Sequence, residues 1–293
     1  RYWGTPLPIW LCEQCGHIDC IGSFEELKKH GTPESLHEME QQTSTFDPHR
    51  PFIDLVKIPC VNCNTLMTRT PEVADAWFDS GAMPYAQWHY PFENNDIFSD
   101  SFPADFICEA VDQTRGWFYT LHALATLLHH SNSIDKNISF KNVICLGLIL
   151  DGNGQKMSKS KGNVVNPWDV IEKHGADAIR WYMYTASPPG NERRFSDDLV
   201  GETARRFLST LWNTYSFFVT YANLTDFDLS NQSDEDKLSE LDLWIRSELQ
   251  NTVLQVTESL NAYELSEAAR PIENFVNEMS NWYVRRSRRR FWR

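Results

Sequence analysis

Cysteine is scarce in this chain, seven among 293 residues, and four of the seven form two C-x-x-C pairs, Cys12 with Cys15 and Cys60 with Cys63. An odd total with that spacing argues against a disulfide framework and for metal. Positive charge is short as well. Lys and Arg number 27 against 40 Asp and Glu, a formal net charge of -13, which excludes a protein that coats nucleic acid indiscriminately through phosphate neutralisation. No apolar run approaches the roughly 20 residues of a membrane helix, and no charged-then-apolar leader opens the chain. The expectation is a soluble cytoplasmic protein with no membrane partner. Glycine and proline nearly vanish beyond Phe195, leaving little there to interrupt helices.

The chain is 41% hydrophobic and 13% aromatic, enough for a sizeable core in two or three units. Residues 1–70 are poor in helical periodicity and rich in Pro, Gly, Cys and His, as a small loop-rich module needing a staple would be. Gly16 and Asn64 follow the two pairs and suit turns that aim backbone amides at thiolate sulfur. Four such ligands make a closed tetrahedral zinc site, with a long excursion between Cys15 and Cys60; four reduced thiols in a mini-core are the other reading. Cys20, Cys108 and Cys145 have apolar neighbours and read as buried small hydrophobes.

Residues 103–150 alternate an apolar run (105–111), a helical stretch (114–130) and a second apolar run (143–150), the pattern of a βαβ unit with buried parallel strands. Ligands of such sheets bind beyond the carboxyl ends of the strands, which selects Glu109, Asp112 and Gln113. From about 195 three stretches (197–223, 236–260 and 264–291), the first two separated by an acidic connector at 226–237, carry helical periodicity and predict a bundle. Leu211, Trp212, Phe218, Trp244, Leu249, Phe275 and Trp282 are its expected core. Arg285, Arg286, Arg288, Arg289, Arg290 and Arg293 crowd the end of the chain, as a solvated face or as a phosphate-contacting helix. The first residue and this broken-off basic run both read as cuts.

After the second strand run comes Lys156-Met157-Ser158-Lys159-Ser160-Lys161-Gly162-Asn163. Three lysines, two serines and a glycine beside a sheet edge suit a mobile loop that contacts polyphosphate. By composition alone a solvated basic loop would serve equally. The order of the residues decides it: KMSKS is the signature loop of class I aminoacyl-tRNA synthetases. Four further segments agree. Arg1-Tyr2-Trp3-Gly4-Thr5-Pro6 resembles the entry to the catalytic domain after the editing insertion, and Asp75-Ala76-Trp77-Phe78-Asp79-Ser80-Gly81 a pocket segment shared by isoleucyl, valyl and leucyl enzymes. Asp112-Gln113-Thr114-Arg115-Gly116-Trp117-Phe118 resembles the isoleucyl form, and Asn281-Trp282-Tyr283-Val284-Arg285-Arg286 the start of the anticodon-binding domain. The whole chain therefore resembles the isoleucyl-tRNA synthetase family.

That resemblance implies an α/β fold class: half of a Rossmann-type parallel-sheet nucleotide-binding fold over 71–194, an N-terminal zinc-binding module over 1–70 and the start of a C-terminal α-helical bundle over 195–293. It implies ATP with Mg2+, isoleucine and tRNA(Ile) as partners, structural Zn2+, and a monomeric full enzyme. Lys156 and Lys159, positioned by Ser158 and Ser160, would stabilise the pyrophosphate side of adenylate formation. Glu109, Asp112 and Gln113 would contact ribose and the amino acid's polar end, Trp77 and Trp117 would wall the side-chain pocket, and Arg285, Arg286 and Arg289 would touch tRNA. An apolar pocket discriminates against a missing methylene by only about 1–3 kcal/mol, hence the family's editing domain, which is not visible in this sequence.

Two positions depart from the pattern. Ala110 stands where the strand end usually has glycine, and Leu146 where histidine often precedes Gly147; both changes are expected to weaken nucleotide contacts or alter sensitivity to adenylate mimics. No His-x-Gly-His segment occurs in the chain, so adenylate formation by this stretch alone is not expected. Valyl or leucyl enzymes and a non-catalytic tRNA-binding module are the competing readings; the Asp112-Gln113-Thr114-Arg115-Gly116-Trp117-Phe118 string separates the first, the KMSKS loop the second.

Overall fold

The computed structural model describes residues 2–43, 46–225, 227–228 and 238–291. Arg1, Trp292, Arg293 and all but Phe227 and Asp228 of the expected acidic connector lie outside them. The chain divides into two compact units, Arg1–Asp105 with Asp112–Asn142, and Phe106–Val111 with Val143–Arg293.

The first unit opens on two hairpins. β1 (Ile9–Leu11) pairs with β2 (Ile18–Cys20), β3 (Ile58–Pro59) with β4 (Leu66–Arg69), and β1 with β4, all antiparallel, giving the order β2-β1-β4-β3. Each hairpin turn carries one Cys pair and needs one left-handed residue, Gly16 at φ +72 and Asn64 at φ +60, the two residue types that tolerate that conformation best. The excursion between the pairs holds α1 (Phe24–His30) and α2 (Pro33–Thr43). Ser23 caps α1 by accepting the Glu26 amide at 3.0 Å, and acidic Glu25 and Glu26 precede basic Lys28 and Lys29 along it, in the sense the helix dipole favours. The excursion returns Met39, Ile53 and Val56 to a core with Trp10, Ile58 and Met67. Arg69, whose side chain is fully buried, is held by Asp54 at 2.5 and 2.8 Å and donates to the Leu7 and Glu72 carbonyls.

α3 (Ala76–Ala86), α4 (Asn95–Ser101) and α5 (Trp117–His130) complete this unit around Tyr85, Phe98, Ala125 and Ile134. A Cβ at Gly81 of α3 would lie 3.0 Å from Thr120 and Leu124 of α5, so glycine is what allows these helices to approach so closely. β5 (Ala104–Ala110) and β6 (Phe140–Leu146) form a two-stranded sheet, and the expected helix between them starts three residues late because Val111–Arg115 is a 3-10 turn.

In the second unit β7 (Ile149–Leu150) and β8 (Arg193–Arg194) pair in parallel. A Cβ at Gly147, just before β7, would sit 2.2 Å from the Asn191 carbonyl oxygen; only glycine fits. α6 (Pro167–His174), α7 (Ala176–Thr185) and α8 (Asp197–Thr203) enclose Val170, Ala178, Tyr182, Phe195 and Val200. The helical region continues through α9 (Ser209–Leu224), α10 (Glu240–Asn261) and α11 (Leu265–Glu278), with π-helical turns at Ala204–Leu208 and Met279–Val284. α11 buries the small side chains Ser266, Ala268 and Ala269. It docks on α7 through Ser266, which donates to the Tyr184 carbonyl at 2.9 Å, and through Trp181 Nε1, which donates to Glu273 at 2.7 Å.

Three expectations are corrected here. Leu211, Trp212, Phe218, Leu249 and Trp282 are exposed, Trp212 by 66%, and Trp244 and Phe275 are half-buried; helical periodicity marks an apolar face without saying what lies on it, and the helix contacts use smaller residues. Cys20 and Cys108 are exposed and Cys145 half-buried. β5 and β6 each bury a single residue, Ile107 and Ile144, and leave Phe106 and Val143 exposed, because no further described strand pairs with this sheet.

Candidate functional site

The four paired cysteines meet at the tips of the two hairpins. Their Sγ atoms all lie within 4.8 Å of one another, Cys12 to Cys63 at 3.4 Å and Cys15 to Cys60 at 3.5 Å. A tetrahedral zinc–thiolate site with bonds of about 2.3 Å sets its sulfurs roughly 3.8 Å apart, so the donor set fits. The two knuckles are built alike: Gly16 N–H donates to the Cys12 carbonyl and Asn64 N–H to the Cys60 carbonyl, while the His17 amide reaches Cys15 sulfur and the Thr65 hydroxyl and amide reach Cys63. These Thr65 groups draw the Cys63 thiol down to about 6. Cys15, despite the His17 amide, is pushed up to about 12 by burial and by the neighbouring sulfurs. Four sulfurs this close repel one another as thiolates, so a cation between them is what would let all four ionise.

A second cluster lies at the junction of α3 and α5. Asp75 caps α3 by accepting the Trp77 amide at 2.7 Å, and an edge of the Trp77 indole lies against Gly116, where a Cβ would meet its Cη2 and Cζ3 carbons at 2.9 and 3.1 Å. Gln113 Oε1 accepts the Trp117 amide at 3.1 Å, its Nε2 donates to Asp112 at 3.3 Å, and Trp117 Nε1 donates to the Ser80 carbonyl at 3.1 Å. The structure thus brings together Trp77, Asp112, Gln113 and Trp117. Gly116 and Ser80, which stand in the sequence only inside the 112–118 and 75–81 strings and with no role of their own, are what fix them. Glu109 is exposed on β5. The first unit's cavity of about 690 Å³ is a different place, lined by Trp10, Ile21, Phe24, Phe78 and Phe92, with Arg69 already committed to Asp54. It offers an apolar wall and little to grip phosphate.

The lysine loop follows β7. Lys156, Lys159 and Ser160 are exposed and Ser158 half-buried; Ser158 Oγ lies 3.2 Å from Ser160 Oγ, and Lys159–Lys161 forms a 3-10 turn closed by Gly162 at φ +65. Met157 points the other way, onto Val170 and its neighbours, so one apolar anchor holds the middle of a charged loop. Asp151 and Asn163, also missed from the sequence, join its two ends: Asp151 Oδ1 accepts the Asn153 and Gln155 amides at 3.0 and 2.8 Å, and Oδ2 accepts the Asn163 side-chain amide at 2.8 Å. The Gln155 amide first, then Asn163, holds the Asp151 carboxyl below the usual carboxylate range.

At the end of the described chain Arg285, Arg286 and Arg289 are exposed, with Arg286 stacked over Trp282 at 4.1 Å. Arg290 is not part of that face. It pairs with buried Asp242 at 2.7 Å.

Residues 1–196 match the profile of the tRNA synthetases class I (I, L, M and V), and residues 242–293 that of the anticodon-binding domain of tRNA ligase. This chain belongs to the class I tRNA synthetases. The isoleucine–tRNA ligase of Thermus thermophilus is 54% identical over 294 residues, which cover 100% of this chain and 27% of that protein. That of Dehalococcoides mccartyi strain CBDB1 is 55% identical over 296 residues, or 28% of its length. This class I chain therefore spans about a quarter of the length of the relatives it matches. Two solved structures share its fold: a ternary LeuRS–tRNA–LeuAMS complex from Agrobacterium radiobacter K84 (TM-score 0.69, 22% identity, 96% of this chain and 35% of that one), and the Mycobacterium tuberculosis methionyl-tRNA synthetase with methionyl-adenylate (TM-score 0.60, 18% identity, 88% and 48%). The class I synthetase fold, Rossmann-like with parallel sheet pieces and a helical region, is thereby shown. No helix among the described residues is long and apolar enough to cross a membrane.

Proposed function

We propose that this chain is part of an isoleucine–tRNA ligase, which activates isoleucine with ATP to an enzyme-bound adenylate and passes the aminoacyl group to tRNA(Ile). The observation that carries the reading is 54% identity to isoleucine–tRNA ligases across the whole chain, in company with the class I profile over residues 1–196. Residues 1–70 form a zinc-binding module, 71–194 the second half of the nucleotide-binding fold and 195–293 the start of a helical anticodon-binding bundle.

In adenylate formation the α-phosphorus gains a bond to the isoleucine carboxylate oxygen and loses its bond to pyrophosphate. Negative charge grows on the departing oxygens, and Lys156 and Lys159 are mobile point charges suited to stabilising it with Mg2+. Glu109, Asp112 and Gln113 hold the ribose and the isoleucine ammonium group. Trp77 and Trp117 wall the side-chain pocket; their fixed placement at Gly116 and Ser80 supports this role. Cys12, Cys15, Cys60 and Cys63 hold a structural zinc that cross-links the hairpins and takes no part in the reaction, and Arg285, Arg286 and Arg289 meet tRNA phosphates.

The test is amino-acid-dependent exchange of pyrophosphate into ATP by the protein expressed from the longest reading frame that contains this chain. Exchange with isoleucine, weaker with valine by the roughly 10–200-fold that one methylene is worth, is expected. Exchange with valine or leucine but not isoleucine would move the assignment within the class.

A further inference from the structure

We infer that Asp151 and Asn163 form a clasp that sets the conformation of the lysine loop, acting as positioning residues for the ATP-dependent step. The inference rests on the functional reading above.

The loop is charged and mostly exposed, and Met157 is its one apolar anchor, so packing alone does not fix where Lys156 and Lys159 point. Closure by a side-chain contact between residues twelve apart in sequence removes most of the freedom of the segment between them. Each side chain of the clasp works in two directions. Asp151 accepts two backbone amides on its own side, Asn153 and Gln155, before it reaches across to Asn163. Asn163 donates to Asp151 and to the Lys156 carbonyl at 3.3 Å, and its Oδ1 accepts the Ser158 amide at 3.0 Å. The backbone on both sides of Met157 is therefore held by one amide side chain, and that side chain is held by one carboxylate. Backbone contacts add to it: Asp151 N–H to the Gln155 carbonyl and Gly154 N–H to the Asp151 carbonyl close the turn before the loop, and Leu150 bridges Lys156 in antiparallel register, so the backbone fixes the entry to the loop and the clasp ties its far end, at Asn163, back to that entry. Asp151 is the right partner chemically: a carboxylate accepts all three donors at once, whereas a neutral amide in its place would present a hydrogen to one of them.

That asymmetry supplies the experiment. In Asn163→Asp two carboxylates face each other and the clasp opens. In the exchanged pair, Asp151→Asn with Asn163→Asp, the amide oxygen introduced at position 151 can still accept the turn amides. Its NH2 can donate to the carboxylate introduced at position 163, whose second oxygen takes the Ser158 amide; only the long contact to the Lys156 carbonyl is lost. Pyrophosphate exchange by the longest-frame protein is measured for the wild type, Asn163→Asp, Asp151→Ala and the exchanged pair, with KM for ATP, KM for isoleucine and kcat separated. Trypsin cleavage after Lys156, Lys159 and Lys161 is followed in parallel.

We expect Asn163→Asp and Asp151→Ala to lower kcat/KM for ATP by tenfold or more, to leave KM for isoleucine within twofold, and to speed cleavage in the loop. The exchanged pair should recover at least tenfold over Asn163→Asp. Single variants with wild-type ATP kinetics, equal losses for ATP and isoleucine, or an exchanged pair no better than Asn163→Asp would each overturn the clasp. A wild-type protein inactive with isoleucine, valine and leucine would instead overturn the functional reading, and the positioning role with it, whatever trypsin reports.

Discussion

Truncating Asp242 to alanine will loosen the end of the helical region by about 3 kcal/mol, a magnitude that follows from its partners. Asp242 is 4% exposed in the first turn of α10. Its Oδ2 accepts the Ser239 amide at 2.9 Å and hydroxyl at 2.7 Å, completing a capping box, a contribution of about 1 kcal/mol. Its Oδ1 accepts the Tyr283 hydroxyl and Arg290 Nη1, both at 2.7 Å. Hydrogen bonds to a charged group contribute about 1.5–3 kcal/mol each, but the Arg290 side chain is 55% exposed and regains water on truncation, so it adds little and the Tyr283 bond supplies about 2 kcal/mol. The assay is amide hydrogen exchange in the longest-frame protein. Three kcal/mol is roughly a hundredfold in an opening equilibrium, so protection in the first turn of α10 and across 283–291 should fall about that far, with α6 and α7 unchanged. A loss under tenfold would refute the reasoning. Although its burial opposes this, the donors from Arg290, Tyr283 and Ser239 hold the Asp242 carboxyl well below its usual range, so the stability it adds is complete above the unfolded carboxylate value near 4 and is lost as pH falls below that. Tyr283 is pushed up to about 12 by burial and by Asp242; its contribution is complete below about pH 10 and is lost as pH rises toward 12.

Two other outcomes are expected. The purified longest-frame protein will carry a zinc ion that Cys12→Ser or Cys60→Ser removes, with loss of exchange protection in α1 and α2, whose core residues Leu27 and Met39 pack with Cys12 and Cys60; atomic emission showing unchanged zinc in both variants would exclude the cluster as the site. Gly116→Ala places a methyl 2.9 Å from the Trp77 ring and 3.0 Å from Gln113 Oε1, so both must shift and KM for isoleucine should rise tenfold or more; an unchanged KM for isoleucine would place the indole elsewhere than the side-chain pocket.

The clustering of the four cysteines was legible because two C-x-x-C pairs, each followed by a residue that tolerates positive φ, Gly16 and Asn64, survive in one dimension. That the lysine segment is a largely exposed loop was legible from its charge and its glycine. The helical core was misjudged because periodicity finds an apolar face and not its neighbour; Trp212 and Trp282 face outward while Ala268, Ala269 and Val276, less conspicuous in sequence, are buried. Asp151, Asn163 and Asp242 were not found because a carboxylate at the base of a loop or at the start of a helix resembles any solvated acid until its donors are known. Gly116 and Gly147 reveal their purpose only through atoms distant in sequence, the Trp77 ring and the Asn191 carbonyl.

One arrangement recurs and makes a chain of net charge -13 compatible with the proposed reaction on polyphosphate. Lys156, Lys159, Arg285, Arg286 and Arg289 have no carboxylate partner among the ion pairs of the described residues, whereas each of those segments is anchored by an acid that is saturated with donors: Asp151 beneath the loop, Asp242 beneath the arginines. An exposed ion pair would add only about 0–1 kcal/mol of stability and would have to be broken before phosphate could bind. Directing the acids to backbone amides, Asn163, Tyr283 and Arg290 instead stabilises the turns while leaving the lysines and the outer arginines available to an anionic ligand. Acidity here is therefore compatible with phosphate chemistry, because the carboxylates that matter are spent on shape and the cations that matter are not neutralised by them.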